Sequence, residues 1–268
     1  MRKRQMNGFL KVGLILTGVL LAMIALGFFW TPYDPAAMRG SEKFLAPSLR
    51  HLMGTDNFGR DIFSRVLKGA GSTLRIALGT VAIGAVLGTA IGALTGYFGG
   101  AVDEAFMRLN DAITAFPSML LALVFISILG SGSLNVILAL GIVFIPSFAR
   151  VTRTAFASLR DANYVKSARL MGAGSGRILF VHMLPNTLQV LLPAVTIGFN
   201  NAVLAEASMS YLGIGSMSSL GYMLSDAQGV ITSAPWYAMG TGLVIVLLIF
   251  GVGLIGEGLN RGEWEEGV

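Results

Sequence analysis

Arg160-Asp-Ala-Asn-Tyr-Val-Lys-Ser-Ala-Arg-Leu-Met-Gly-Ala-Gly-Ser-Gly-Arg-Ile-Leu-Phe-Val-His-Met-Leu-Pro-Asn186 is a polar, basic and small-residue-rich stretch in a chain that is otherwise apolar. Uncharged runs flank it, Ala112 to Ala149 before and Met183 to Ala205 after. The 268 residues are 54% apolar and only 12% charged, about half the charge of ordinary soluble domains. Mean hydropathy is +0.73. So little charge cannot cover a water-exposed surface of this size, and the chain reads as an integral membrane protein. A substantial polar connector inside such a chain is a handle for a partner.

Six membrane spans follow from the pattern, and the fold class is all-α. Val12–Tyr33 is apolar behind Arg2, Lys3 and Arg4, and it ends in Phe28-Phe29-Trp30. Its length and aromatic end argue for a retained first span with an interfacial belt rather than a cleaved signal. Ile76–Gly100 is the second. Ala112–Ala149 is too long for one span, and Gly130-Ser-Gly-Ser133 divides it into Ala112–Leu129 and Leu134–Ala149. Met183–Ala205 and Tyr237–Ile255 complete the set. The chain thus divides into residues 1–73, a first span plus an extracytoplasmic loop, and 74–268, a five-helix core holding the connector 150–186. Gly84, Gly88, Gly92 and Gly96 recur every four residues on the second span and leave a bare strip for close helix packing.

Six spans put both termini and the 97–111 and 150–186 connectors on one side. That side carries Arg2, Lys3, Arg4, Lys11, Arg108, Arg150, Arg153, Arg160, Lys166, Arg169, Arg177 and Arg261, twelve of the 19 basic residues. The remaining seven lie in and just beyond the first loop, which dissents from the positive-inside rule. The majority places both termini in the cytoplasm.

Chemistry is sparse. No Cys is present, so disulfides and thiolate metal sites are excluded, and two distant histidines, His51 and His182, make no metal centre. The sequence contains no GxxxxGK[ST] loop and no HExxH, so neither ATP nor a catalytic metal is expected on this chain. The net charge of +5 is accounted for by basic membrane loops without nucleic acid. Glu206 is the one carboxylate beside a span and is a candidate for the translocation path, with interfacial placement as the alternative. Asn200 and Asn201 could hold substrate or bond a neighbouring helix. In the first loop Gly54, Asp56, Asn57 and Gly59 are turn formers. Asp61 can cap a short helix carrying Ile62, Phe63, Val66 and Leu67. This loop reads as a compact turn held by Asp–Arg pairs.

Within the connector, Asp161 or Asn163 can cap a short helix on which Tyr164, Ala168 and Met171 share one face. Gly172 can end it in a left-handed conformation, and Ser175 can start a second helix that enters the fifth span through Leu184-Pro185. Spacing alone leaves two readings open, a partner-docking helix and an amphipathic linker on the membrane surface.

Three ordered motifs carry a resemblance. The connector resembles the EAA motif of permease subunits of binding-protein-dependent ABC importers, with Ala168, Gly172, Leu184 and Pro185 at the matching spacing. Lys166 stands where that motif has Glu, Ser167 where it has its first Ala, and His182 where it has Ile. Gly54-Thr-Asp-x-x-Gly-Arg-Asp-x-x-Ser-Arg65 and Glu206-x-Ser-x-Ser-Tyr-Leu-Gly-Ile-Gly215 resemble the dipeptide, oligopeptide and nickel branch of the family, in its second permease subunit. The resemblance implies a type I importer permease fold in the bacterial inner membrane. It implies a homologous partner permease, cytoplasmic ATP-binding subunits that hold ATP and Mg, and an extracytoplasmic solute-binding protein. The solute would be a peptide, nickel or a metal chelate. Coupling would run through Tyr164, Ala168, Arg169 and Gly172, and Gly54, Asp56, Arg60 and Asp61 would meet the partner permease or the binding protein. A membrane-embedded enzyme or a secondary transporter are the alternatives, which would need clustered acids at matched depth or inverted repeats with midplane charges.

Overall fold

The computed structural model describes residues 7–264, and the side chains up to 260. Arg2, Lys3, Arg4 and the Arg261 side chain, which enter the charge argument above, lie outside the described residues. Apart from the long loop of residues 30–61 and short connections, the described chain is helical: α1 Gly8–Phe29, α2 Ile62–Phe98, α3 Gly100–Thr114, α4 Ser118–Leu129, α5 Ser133–Leu159, α6 Asn163–Leu170, α7 Ser175–Arg177, α8 Leu184–Tyr211, α9 Leu220–Gln228 and α10 Pro235–Trp264. Five helical stretches are long and apolar enough to cross a membrane. The sixth crossing is the pair α3 and α4, bent by 87° at a short break. Counting that pair as one broken span gives six, the number the hydropathy pattern implies. The third is broken rather than straight, because Pro117 has no N–H to offer and α4 restarts after it.

α2 departs most from the sequence expectation. It begins at Ile62, far ahead of Ile76, so Arg65, Lys68 and Arg75 ride on a spanning helix instead of a loop. Asp61 does cap its start, the carboxylate accepting from the Ser64 N–H at 2.8 Å, but the helix it starts is 37 residues long. No helix ends near residue 73.

α2 packs along α5, and the glycine strip explains how. A Cβ at Gly88 would lie 2.7 Å from the Ile145 carbonyl and 2.9 Å from the Ala149 nitrogen. At Gly96 it would lie 2.6 Å from the Arg153 carbonyl, and at Gly84 2.8 Å from Phe144 Cβ. Only bare backbone lets the two helices approach this closely, and dispersion along the seam holds them in lipid, where burial of apolar surface gives no advantage. α1 lies against α10 in the same fashion, with Gly13 facing Leu254 and Ile255 and the Asn7 amide donating to the Gly258 carbonyl at 2.9 Å. A central cluster including Ile62, Val66, Phe148, Phe199, Leu220, Tyr237 and Leu248 ties α2, α5, α8, α9 and α10 together.

Candidate functional site

The connector folds into α6, a tight turn and the start of α8. Neither Asp161 nor Asn163 caps α6. Ala162 holds the cap position without a side-chain bond, and its carbonyl accepts from the Val165 and Lys166 nitrogens, both at 3.0 Å. Asp161 lies one residue too early and Asn163 is already inside the first turn, so neither side chain reaches an open N–H. The other end is as the sequence implies. Gly172 has φ +80, its N–H donates to the Arg169 carbonyl and the Ala173 N–H to the Ala168 carbonyl, each at 3.0 Å. That pair of bonds is a Schellman stop, open to glycine at no steric cost.

The faces of α6 are also settled. Val165 and Ala168 are buried and pack with Tyr97, Phe156, Ile178, Leu179 and Met183. Ala168 therefore holds the helix to the body from beneath and presents no surface of its own. Arg169 lays its guanidinium over the Tyr97 ring, 5.0 Å from the centroid. Tyr164 is 39% exposed, while Leu170 and Met171, which sequence reasoning passed over or took only as a face mark, are 89% and 81% exposed. They form an apolar tip just before Gly172.

Beyond the turn, α7 starts at Ser175 as expected and runs through a π-helical segment, Ile178–Met183, into α8. Pro185 supplies the reason. It has no N–H, its ring crowds the preceding turn, and the ladder shifts to a wider one there, with the Leu184 N–H bonding Leu179. The Asn186 amide then donates to the His182 carbonyl at 2.6 Å.

The first-loop residues form a buried polar knot. Asp56 is fully buried and accepts from the Phe58 N–H at 2.8 Å, the Arg60 N–H at 3.0 Å, Arg60 Nε at 2.7 Å and Arg65 Nη1 at 2.5 Å. Arg65 also donates to the Tyr237 hydroxyl at 2.6 Å and to Asp226 at 3.1 Å, so loop, α9 and α10 meet at one guanidinium. Asp61 accepts from Ser64 and pairs with His51 Nδ1 at 2.8 Å. Gly54 (φ +73) sits against Leu45 and the Trp236 indole. The reading of a compact turn held by Asp–Arg pairs describes this geometry.

The three path candidates diverge. Glu206 is fully buried in its own chain, where it accepts from Ser210 at 2.7 Å. Ser210 in turn accepts from the Ser216 N–H at 3.0 Å, and Thr73 from the Leu220 N–H at 3.1 Å. Glu206 thereby secures the turn between α8 and α9. Asn200 turns toward Gly253 on α10. Asn201, one residue and about 100° further round the helix, is exposed and opens onto a groove between α5 and α8.

Residues 88–262 match the family model described as the binding-protein-dependent transport system inner membrane component. The dipeptide transport system permease protein DppC of Alkalihalophilus pseudofirmus is 36% identical over 93% of this chain and 83% of its own. The glutathione transport system permease protein GsiD of Pectobacterium atrosepticum is 36% identical over 90% of this chain and 82% of its own. The di/tripeptide transport system permease protein DppC of Pseudomonas aeruginosa is 36% identical over 93% and 86%. Among solved structures, a chain of the inward-facing MetNI methionine ABC transporter superposes with a TM-score of 0.62 at 21% identity, over 74% of this chain and 95% of that one. That likeness confirms the type I importer permease fold. The chain accordingly belongs to the inner membrane components of binding-protein-dependent transport systems: it is a multi-pass ABC importer permease and not an enzyme.

Proposed function

We propose that this permease imports short peptides, and that the tip of α6 is where a cytoplasmic ATP-binding subunit holds it. The relatives' names, which speak of dipeptides, di/tripeptides and glutathione, favour peptide over nickel or a metal chelate. Among the described residues no group of three His, Asp or Glu could hold a metal ion. ATP and Mg then belong to the ATP-binding subunits, a homologous permease closes the path, and an extracytoplasmic binding protein delivers the peptide.

The observation that carries the docking role is the tip itself. Leu170 and Met171 stand almost fully exposed on a helix that Val165 and Ala168 anchor to the body and Gly172 terminates. An anchored helix with an apolar end fits a groove on another protein. Because α6 follows α5 closely and packs on the π-helical segment that opens α8, a pull on it reaches two spans. Tyr164, Arg169 and Gly172 take supporting roles: Tyr164 flanks the tip, Arg169 braces α6 on Tyr97, and Gly172 sets the turn. Arg169 on Tyr97 and Asp103 on Arg153 draw the end of α2, the start of α3, the end of α5 and α6 to one end of the bundle. Span parity adds the start of α1 and the end of α10, which supports cytoplasmic termini.

The test uses the intact importer. Leu170→Asp with Met171→Asp should leave the permease in the membrane, lose the co-purifying ATPase and abolish uptake of a labelled dipeptide. An unchanged ATPase yield would remove the docking role. Wild-type complex that takes up no di- or tripeptide with its own binding protein would remove the substrate class instead.

A further inference from the structure

Along the first half of α2, this helix and α8 share a core in which Ala77, Val81, Phe199 and Val203 lie in one cluster. Further along α2 the two part. A cavity of about 540 Å³ opens between them, walled on one side by Ala85, Ala90 and Ala93 and on the other by Leu184, Leu188 and Leu192, with the buried Phe156 as its floor. The sequence explains the gap: the alanines carry a single methyl each where the facing helix carries leucines, so the two walls do not meet. Thr89 is the one polar side chain lining the cavity, and its hydroxyl accepts from Thr152 at 3.4 Å.

The depth of the cavity fits one leaflet. Residues 85–94 of α2 cover about 14 Å and residues 184–195 of α8 about 16 Å, against about 15 Å for half of a bilayer's hydrocarbon core. On α2 it occupies the half of the uncharged run of residues 76–100 that lies toward Gly100. A helix about 10 Å across needs about 1,200 Å³ over that length, twice the space present, whereas a flexible hydrocarbon tail needs far less. Leu94, Phe180, Leu188 and Leu192 are exposed around the rim. Helices that associate within lipid do so through small and polar side chains, which this rim lacks.

The end of the cavity at Tyr97 is cationic. Tyr97, one turn beyond Ala93, lies under the Arg169 guanidinium, and its hydroxyl donates to Ser175 Oγ at 3.4 Å. Arg177 follows Ser175 by two residues and directly precedes the stretch whose Leu179 and Phe180 line the cavity, and it is exposed. Neither Arg169 nor Arg177 has an ion-pair partner among the described residues. A guanidinium at the edge of the hydrocarbon matches a phosphate with two parallel N–H bonds.

We infer that this cavity is a phospholipid site, in which one tail lies between α2 and α8 and Arg177 holds an anionic headgroup. α6 lies at the same end, so under the orientation proposed above the lipid comes from the cytoplasmic leaflet, where anionic lipids are concentrated. The tail completes the packing between α2 and the π-helical segment that leads into α8.

The test uses the complete importer in phosphatidylcholine vesicles. These are doped with phosphatidylglycerol or with phosphatidylcholine, each carrying a diazirine on one tail, and cross-linked peptides are identified by mass spectrometry. Cross-links should fall on residues 85–94 and 179–195 at least about fivefold more often than around Leu243, Val246 and Phe250, which are exposed on α10. Ala90→Trp, which fills the cavity from an exposed position, should remove the first set and leave the second. Even labelling of both sets overturns the site, and so does labelling of α10 alone, which would mean that protein covers the cavity. For the headgroup, the charged probe should label the cavity more strongly than the neutral one. Arg177→Gln should cut that preference about fivefold, the effect of one basic residue beside an anionic lipid, and Arg177→Lys should keep it. Equal labelling by the two probes in the wild type, or an unchanged preference in Arg177→Gln, overturns the role of Arg177.

Discussion

Asp56 has no contact with solvent and takes hydrogen bonds from four donors, two of them guanidinium groups. Its removal would leave Arg65 inside the protein facing Tyr237 and only the half-open Asp226. Breaking a buried pair from one side costs about 3–5 kcal/mol. Asp56→Ala should therefore lower the thermal midpoint of the detergent-solubilised complex markedly, followed by size-exclusion after heating, and an unshifted midpoint would mean the knot is dispensable. Gly172 invites a finer experiment. Nothing lies within 4 Å of a Cβ built there, so substitution meets only backbone strain at φ +80. Asn tolerates that conformation and Val does not. Gly172→Asn should retain ATPase association, and Gly172→Val, at a cost of about 1–3 kcal/mol in the turn, should lose most of it. Equal behaviour of the two would take the left-handed turn out of the docking account.

At the scale of elements, the α2–α5 seam makes the sharpest claim. Gly88→Leu must push against the Ile145 carbonyl and the Ala149 backbone, which cannot rotate aside, and overpacking of this kind costs about 1–3 kcal/mol or more. Gly18→Leu on α1 meets nothing within 4 Å. The first should reduce the yield of folded complex in mild detergent and the second should not. If both are silent, the strip is not what holds the helices together. The same seam shows what could be read ahead of structure. The four-residue glycine spacing and the uncharged runs announce close-packed spans without any coordinates. The early start of α2 is hidden, because Arg65, Lys68 and Arg75 look like loop residues until Asp56, Asp226 and Tyr237 are seen to receive the first of them. The bend between α3 and α4 is hidden for the opposite reason: a uniformly apolar run says nothing about direction. In the connector, Gly172 announces its turn, but periodicity cannot tell which face of α6 looks inward, so Ala168 reads as surface when it is foundation. Asn200 and Asn201 look equivalent in sequence and part company only when the helix is placed between α5 and α10.

At the scale of the whole molecule, α1 stands outside the stretch that matches the family model, which covers residues 88–262. It nevertheless lies tightly on α10, with Gly13, Thr17 and Leu10 set against Gly251, Leu254 and Gly258. We propose that residues 74–268 form the core of the permease and that α1 is an added layer. Deleting residues 1–32 should then lower thermal stability while the ATPase still co-purifies. Loss of ATPase binding in that truncation would make α1 part of the core. The glycine-lined contact between α2 and α5 also has a mechanical consequence. α2 is 37 residues of unbroken helix, about 55 Å, clamped to the helix that leads straight into α6. A rod of that length turns a tilt of about one degree at its Phe98 end into about 1 Å of travel at its far tip. That tip is Asp61 and Arg65. Under the docking role proposed for α6, a tilt passed on through α5 and α2 reaches the polar knot of the first loop.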